Sequence, residues 1–336
     1  MFDKLKAMFR IGGAKIGMVE TLNRITDHPK IGVNTAEIDR IMDNKRIYKN
    51  KFPDVSYVNS DGMRMHRAFH SLNVSKVVSR KLAKLVFNDG CAISIDDDEA
   101  DHFLQSVFND NKFRKNFGEE LEAGYAIGGL VLRPYVDTKT NKIKISFCRA
   151  DTFYPLQSNT NDISEAAIAT ITQQNEGKKN VYYTLLEFHE WENSTYYIRN
   201  ELYRSEEQSQ TGVRVPLATL DKYKELKEES ALVGFTRPLF VYIKLAGKNN
   251  IDIDSPLSLG IIDNAKRQLI DINEKYDEFM NEVEEARRKI LASDHFFKVR
   301  YDEKGNPIKR FDSKTSVYQR LKSDEDRKST RLNSSH

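Results

Sequence analysis

The chain has 336 residues, room for one large domain or two to three smaller ones, and a 39% hydrophobic content sufficient for real cores. A formal net charge of +3 does not mark a nucleic-acid binder, so any such role has to come from local patches. Two cysteines, Cys91 and Cys148, lack metal-ligand spacing and read as buried strand residues of a reducing compartment, and no apolar run reaches the roughly 18 residues of a membrane span.

In chain order, residues 1–10 place Phe2, Leu5, Met8 and Phe9 at helical spacing among lysines. That pattern lacks the apolar core of a signal peptide and reads as an amphipathic docking helix, with attachment to a membrane surface as the alternative. Helical sequence continues to residue 50, broken at Asp27-His28-Pro29 and resumed over 35–48. Pro53 and several β-formers make 51–60 extended. The stretch 63–87 reads as one amphipathic helix. Leu72, Val78, Leu82 and Leu85 mark its apolar side, and Arg64, Arg67, Lys76, Arg80, Lys81 and Lys84 make it basic. Asn88-Asp89-Gly90 stops it. Residues 91–95 read as a short strand, Asp96-Asp97-Asp98-Glu99 open a helix to about 108, and a helix over 112–126 ends at Gly128-Gly129.

From Gly129 the period changes. Strands are predicted at 130–136, 142–149, 167–173, 181–191 and 195–204, separated by turn-like residues at 137–141, 175–180 and 192–194. Tyr196, Ile198 and Leu202 share one face of the last strand, with Arg199 and Glu201 on the other. Strands joined by short turns make an antiparallel meander rather than a βαβ series. The charged segment 221–230 reads as helix and 239–245 as a further strand.

The strongest pattern covers 255–292. Ile262, Ala265, Leu269, Ile272, Tyr276, Phe279, Val283, Ala286 and Ile290 recur in alternating steps of three and four, a heptad seam. Ser255 suits the N-cap, Pro256 the first helical position, and Arg287, Arg288 and Lys289 the C-terminal end. A helix over this range is roughly 50 Å long. It outreaches most globular cores, so part of the seam is expected to meet another helix or subunit. Asp271, Glu274, Asp277, Glu278, Glu282, Glu284 and Glu285 surround it with a largely acidic surface. Beyond it, β-type segments at 296–302 and 308–311 flank a hairpin turn and carry Lys298, Arg300, Lys309 and Arg310. A last β-type segment, 315–321, has no partner after it. Residues 326–336 lack periodicity and read as the translation of a sequencing adapter, so they are set apart from the fold.

Catalytic chemistry finds little support. No G-x-x-x-x-G-K-[ST] is present, and the glycine cluster Gly12 to Gly17 follows no strand. Asp96 to Glu99 offer carboxylates that a metal-dependent nuclease could use, but adjacent carboxylates at a helix start serve capping and the helix dipole without an ion. His66 and His70 stand four apart on the basic helix, with arginine where a zinc protease needs its base, and His28, His102 and His189 have no partner spacing. The expectation is no enzyme, no metal and no cofactor. Trp191 and the tyrosine-rich strands suit cross-strand packing ahead of base stacking.

Several stretches, by their order and spacing together, resemble the portal proteins of tailed bacteriophages, especially those of long-tailed phages of low-GC Gram-positive hosts. They are Arg67-Ala-Phe-His-Ser-Leu-Asn73, Leu82-Ala-Lys-Leu-Val-Phe-Asn88, Ala126-Ile-Gly-Gly-Leu-Val-Leu-Arg-Pro134, Ala150-Asp-Thr-Phe-Tyr-Pro-Leu156, Phe240-Val-Tyr-Ile-Lys244, Asn249-Asn250 and Ser255-Pro256-Leu257. The resemblance covers about 30–325. It implies an α+β, portal-like fold with an N-terminal helical segment (1–50), a mixed helical and antiparallel β wing domain (51–255), a long stem helix (256–292) and a partial clip hairpin (293–325). It also implies a structural, non-enzymatic subunit of a twelve-fold ring at the capsid vertex of the virion, assembled in the host cytoplasm, through which the genome is packaged and ejected.

The partners so implied are further copies of the chain, the terminase large subunit, the major capsid and scaffolding proteins, head-tail connector proteins and double-stranded DNA, with no membrane. Asp271, Glu274, Asp277, Glu278 and Glu282 become candidates for an acidic channel wall, past which phosphates slide without adhering. Lys298, Arg300, Lys309 and Arg310 become candidates for contact with DNA or the motor at the clip. Ile262, Leu269, Ile272, Tyr276, Phe279, Val283 and Ile290 become the seam between subunits. The family's second stem helix, tunnel-loop helix and crown have no counterpart, so the chain is expected to be C-terminally truncated. The alternative reading is an oligomeric interaction protein that uses the long helix without DNA.

Overall fold

A computed structural model of the chain describes residues 21–58, 63–137, 139–158, 162–177 and 179–286, with 291–293, Gly305 and 319–321. Residues 1–20, which include the expected docking helix, lie outside the described residues, as do the paired segments around the expected clip hairpin. In chain order the elements are β1 (Thr21–Leu22), α1 (Thr35–Tyr48), β2 (Val55–Val58), β3 (Arg64–Arg67), α2 (Val74–Val86), α3 (Asp98–Asp110) and α4 (Phe113–Ile127). There follow β4 (Leu130–Asp137), β5 (Lys142–Arg149), β6 (Phe153–Ser158), β7 (Ile163–Glu176), β8 (Lys179–Glu192), β9 (Thr195–Ser205), β10 (Gly212–Val215), β11 (Glu229–Leu232) and β12 (Val241–Ile243). The last are α5 (Lys266–Glu285), β13 (Leu291–Ser293) and β14 (Gln319–Leu321). The fold class is α+β, as expected. The chain divides into two compact units, one of residues 1–49 and 74–265, the other of residues 50–73 and 266–336.

The first unit is built on a seven-stranded antiparallel sheet, β1-β10-β9-β8-β7-β6 with β11 also paired to β9. Alternation puts successive residues of β8 on opposite faces, and here both faces are covered. Leu186 and Phe188 join Leu22, Ile38, Tyr154, Ala167 and Tyr203 in one cluster. Val181, Tyr183 and Leu185 join Leu202, Leu217, Leu220 and Tyr223 in another. The second sheet, β12-β4-β5, adjoins α4, whose Leu121 and Tyr125 share a core with Leu130 and Ala83. α2 approaches α4 through Ser75, Ser79 and Ala83, small residues four apart, all buried.

Three expectations fail because the polar groups of these segments find partners outside the expected element, in side chains or in backbone. Residues 91–95 are no strand, since Asp101 accepts the Ile95 N–H at 3.0 Å, Gln105 donates to the Ile93 carbonyl and Arg114 to that of Cys91. Cys91 is accordingly half-buried and outside any strand; Cys148 sits in β5, also half-buried. Residues 221–230 are not a helix. A single 3₁₀ turn, Asp221–Tyr223, buries Tyr223, and Glu229–Leu232 then pairs with β9.

The third failure is the start of the long helix. α5 begins at Lys266, and Ser255 caps nothing. Its hydroxyl donates to Glu37 at 2.8 Å instead. Asn249 donates to Glu37 and to the Leu257 carbonyl, and accepts from the N–H groups of Ile251 and Asp252. Asp263 accepts from Arg40, from Asn44 at 2.7 Å and from the Gly260 N–H at 2.7 Å. Ile261 donates its N–H to the Tyr125 carbonyl at 2.9 Å. Segment 255–263 is therefore tied to the end of α4 and to α1 before a helix forms, and the described helix is about 30 Å long rather than 50. At its other end Leu291–Ser293 is a strand, paired in parallel with Gln319–Leu321, so the late β-type segment has its partner before it, not after.

A tight backbone approach joins Gly260 to the α4 terminus. A Cβ on Gly260 would stand 2.2 Å from the Ala126 carbonyl oxygen, while one on Gly32 would meet nothing within 4 Å. Gly260→Ala is expected to destabilise the first unit by about 2 kcal/mol or more, with Gly32→Ala within about 0.5 kcal/mol of the parent, both read from chemical denaturation curves.

Candidate assembly surface

The second unit contains α5 together with the β2–β3 hairpin, whose register pairs Val55 with Arg67 and Val58 with Arg64. The expected helix over 63–87 therefore starts only at Val74, and His66 and His70 do not share a helix face. His66 meets the Ser56 hydroxyl at 3.0 Å, and His70 lies 3.4 Å from Glu284. What replaces the first helical turns is a docking of 67–72 onto α5. The Arg67 guanidinium donates to both oxygens of Asp277, at 2.5 and 2.7 Å. Asp277 also accepts the His70 N–H at 2.9 Å, and one turn back Asn273 accepts the Leu72 N–H at 2.7 Å. The Asn273 amide returns to the Leu269 carbonyl of its own helix. The N–H groups of residues 70 and 72 are thus held by α5 and unavailable to a local helix.

This arrangement sorts the expected site residues. Asp277 is buried and fully engaged, so it does not belong to an open acidic wall; the bidentate Arg67 bond outweighs the cost of burial and holds its carboxyl below the usual carboxylate range. Glu274, Glu278 and Glu282 are exposed and Asp271 is half-exposed. Glu278 pairs with Lys275 at 2.7 Å and Asp271 with Arg267 at 3.1 Å, both at the surface. Of the seam, Ile262 is not on the helix at all and is fully buried in the first unit. Leu269 and Tyr276 are half-buried. Ile272, Phe279 and Val283 stand 47%, 62% and 46% exposed. Ile290, Lys298, Arg300, Lys309 and Arg310 lie outside the described residues. α5 thus turns a polar face, Asn273 and Asp277, to its own chain, and leaves an apolar stripe open, flanked by Asp271, Glu278 and Glu282.

Several carboxylates and histidines singled out in the sequence have structural partners. Asp97 accepts the Ala100 N–H at 2.8 Å as the N-cap of α3, and among the described residues no group of three His, Cys, Asp or Glu can hold a metal ion. No helix of the described residues is long and apolar enough to cross a membrane. His28 and His189 do have partners, found only in space. His28 lies 3.1 Å from Glu201. His189 lies 2.6 Å from the Tyr196 hydroxyl and 2.7 Å from Glu187, which also receives Arg133 in a bidentate pair. Tyr196 accepts the Leu239 N–H at 2.9 Å, so its own proton points to His189. Burial pushes the Glu187 carboxyl up, but His189 and Arg133 outweigh it and hold the carboxyl below its ordinary value. The set has the composition of a catalytic relay, but His189 and Tyr196 are wholly buried. The only sequence signal was Glu187 and His189 two apart on one strand face.

A family model described as "Phage portal protein, SPP1 Gp6-like" matches residues 27–333. That span takes in most of the 326–336 segment set apart above. No curated protein matches the chain.

Removing the buried carboxylate tests the docking. Asp277→Asn is expected to cost about 3 kcal/mol or more, because it strands Arg67, and to speed amide exchange at His70 and Leu72. Glu278→Gln, at an exposed pair, is expected to cost under about 1 kcal/mol. Since the Asp277 carboxyl is depressed, its contribution is complete above about pH 4, the unfolded carboxylate value, and is lost as pH falls below that through the folded value. Protection of the two amides should follow the same curve.

Proposed function

Because the chain belongs to the phage portal protein family, SPP1 Gp6-like, we propose that it is a subunit of a ring at the capsid vertex, the conduit for packaging and ejection of double-stranded DNA. Its role is structural. It docks the terminase large subunit during packaging and head-tail connector proteins afterwards, and it meets the major capsid and scaffolding proteins in the host cytoplasm as the virion assembles. A twelve-fold ring is the stoichiometry proposed.

The observation that carries this reading is the inverted helix α5. An amphipathic helix in a self-sufficient protein buries its apolar stripe; this one buries Asn273 and Asp277 and leaves Ile272, Phe279 and Val283 in water. Such a stripe marks a surface for other subunits. Asp271, Glu274, Glu278 and Glu282 are the proposed channel wall, where like charge keeps DNA phosphates from sticking. Lys298, Arg300, Lys309 and Arg310 are proposed to meet DNA or the motor.

Replacing Glu274, Glu278 and Glu282 together by lysine in an assembled ring is expected to slow packaging severalfold, measured as nuclease-protected DNA against time. Packaging at the parent rate would remove the acidic-wall role.

A further inference from the structure

A second exposed helix face carries the opposite charge to α5. α2 has four cations, Lys76, Arg80, Lys81 and Lys84, and no acid. Its small residues face α4, so the outer side presents Val77, Val78 and Leu85, 67%, 41% and 64% exposed, interleaved with Lys81 and Lys84. Arg80 is engaged with Glu122, whereas Lys81 and Lys84 form no ion pair among the described residues. α5 has seven acids against three cations, and its open stripe of Ile272, Phe279 and Val283 is flanked by Asp271, Glu278 and Glu282. Each face combines exposed apolar side chains with charge of one prevailing sign, acidic on α5, where Lys275 and Arg267 pair with Glu278 and Asp271, and basic on α2. At about 1.5 Å per residue α5 spans the whole of α2.

We propose that the α5 stripe of one copy docks on the α2 face of the next copy, with Glu278 and Glu282 set against Lys81 and Lys84. The two faces differ, so the contact is heterologous: every copy offers one of each, and repetition closes a ring or extends a filament. The inference rests on the oligomeric reading above and assigns the surfaces that reading leaves open. Opposite charge selects this pairing over α5 on α5, where acid would meet acid, and over α2 on α2.

Two variants of the full 336-residue chain test it: Lys81→Glu with Lys84→Glu, and Glu278→Lys with Glu282→Lys. All four positions are exposed, and circular dichroism checks that both variants stay folded. By sedimentation velocity at low salt the parent should self-associate, and each variant alone should associate about tenfold or more weakly. Mixed one to one, the variants should regain parental association in alternating oligomers, because each α5 then meets an α2 of opposite sign. Oligomers indifferent to either variant, or weakened but not rescued by mixing, would overturn this interface and leave the ring reading standing. A parent chain that stays monomeric overturns both.

Discussion

Two buried carboxylates, Glu37 and Asp263, decide where the chain stops being core and becomes helix. Each is nearly inaccessible, and each collects several donors: Arg40 bridges both, Asn249 and Ser255 reach Glu37, and Asn44 and the Gly260 N–H reach Asp263. A buried carboxylate without such partners would be costly, so the donors are not free to go elsewhere. That ties segment 249–263 into an irregular path. The glycines make the path possible: Gly128, with φ of +106°, and Gly260 let two backbones approach where any side chain would collide. Tyr242 and Ser258 then close on the Gly128 carbonyl, both at 2.8 Å. Stretches near 126, 240, 249 and 255 that carry the family resemblance are brought together at this one junction.

The second unit obeys the same rule with the opposite visible result. Asn273 and Asp277 lie on the face of α5 that a hydrophobic pattern would assign to solvent, yet they accept the backbone N–H groups of 70 and 72 and the Arg67 fork. Satisfied polar groups replace an apolar seam as the local adhesive. The consequence is that Ile272, Phe279 and Val283, three members of the most conspicuous pattern in the chain, stay exposed in the single protomer. Their exposed area stabilises nothing until another surface covers it.

Legibility followed the range of the interactions. β4, β5, β8 and β9 were readable to within about two residues because a period of two and short turns are local properties, and the caps of α3 and α4 were readable for the same reason. The helices expected at 63–73 and 255–265 are not, since their backbone and side-chain polar groups answer to Asp277, Asn273, Glu37 and Asp263, most of them about two hundred residues away. His189 was read as solitary because its hydroxyl partner, Tyr196, sits across a hairpin. Among the acids of α5, the sequence has no means of separating Asp277, which is buried, from Glu274, Glu278 and Glu282, which are exposed.

That separation matters for any functional argument from charge. Glu37, Glu187, Asp263 and Asp277 all look like candidates for chemistry when counted as residues, and each is matched to a cation, a histidine or a peptide N–H in a site nearly closed to solvent. A carboxylate so matched has little field left to offer at the surface, because its partner cancels its charge within a few ångströms. Other charges stay open at the surface, among them Glu274, Glu278 and Glu282 on α5 and Lys81 and Lys84 on α2. These carry opposite signs on two different helices, each beside exposed aliphatic or aromatic side chains. A chain with near-balanced total charge can therefore present unlike surfaces, and its net charge of +3 hides that segregation.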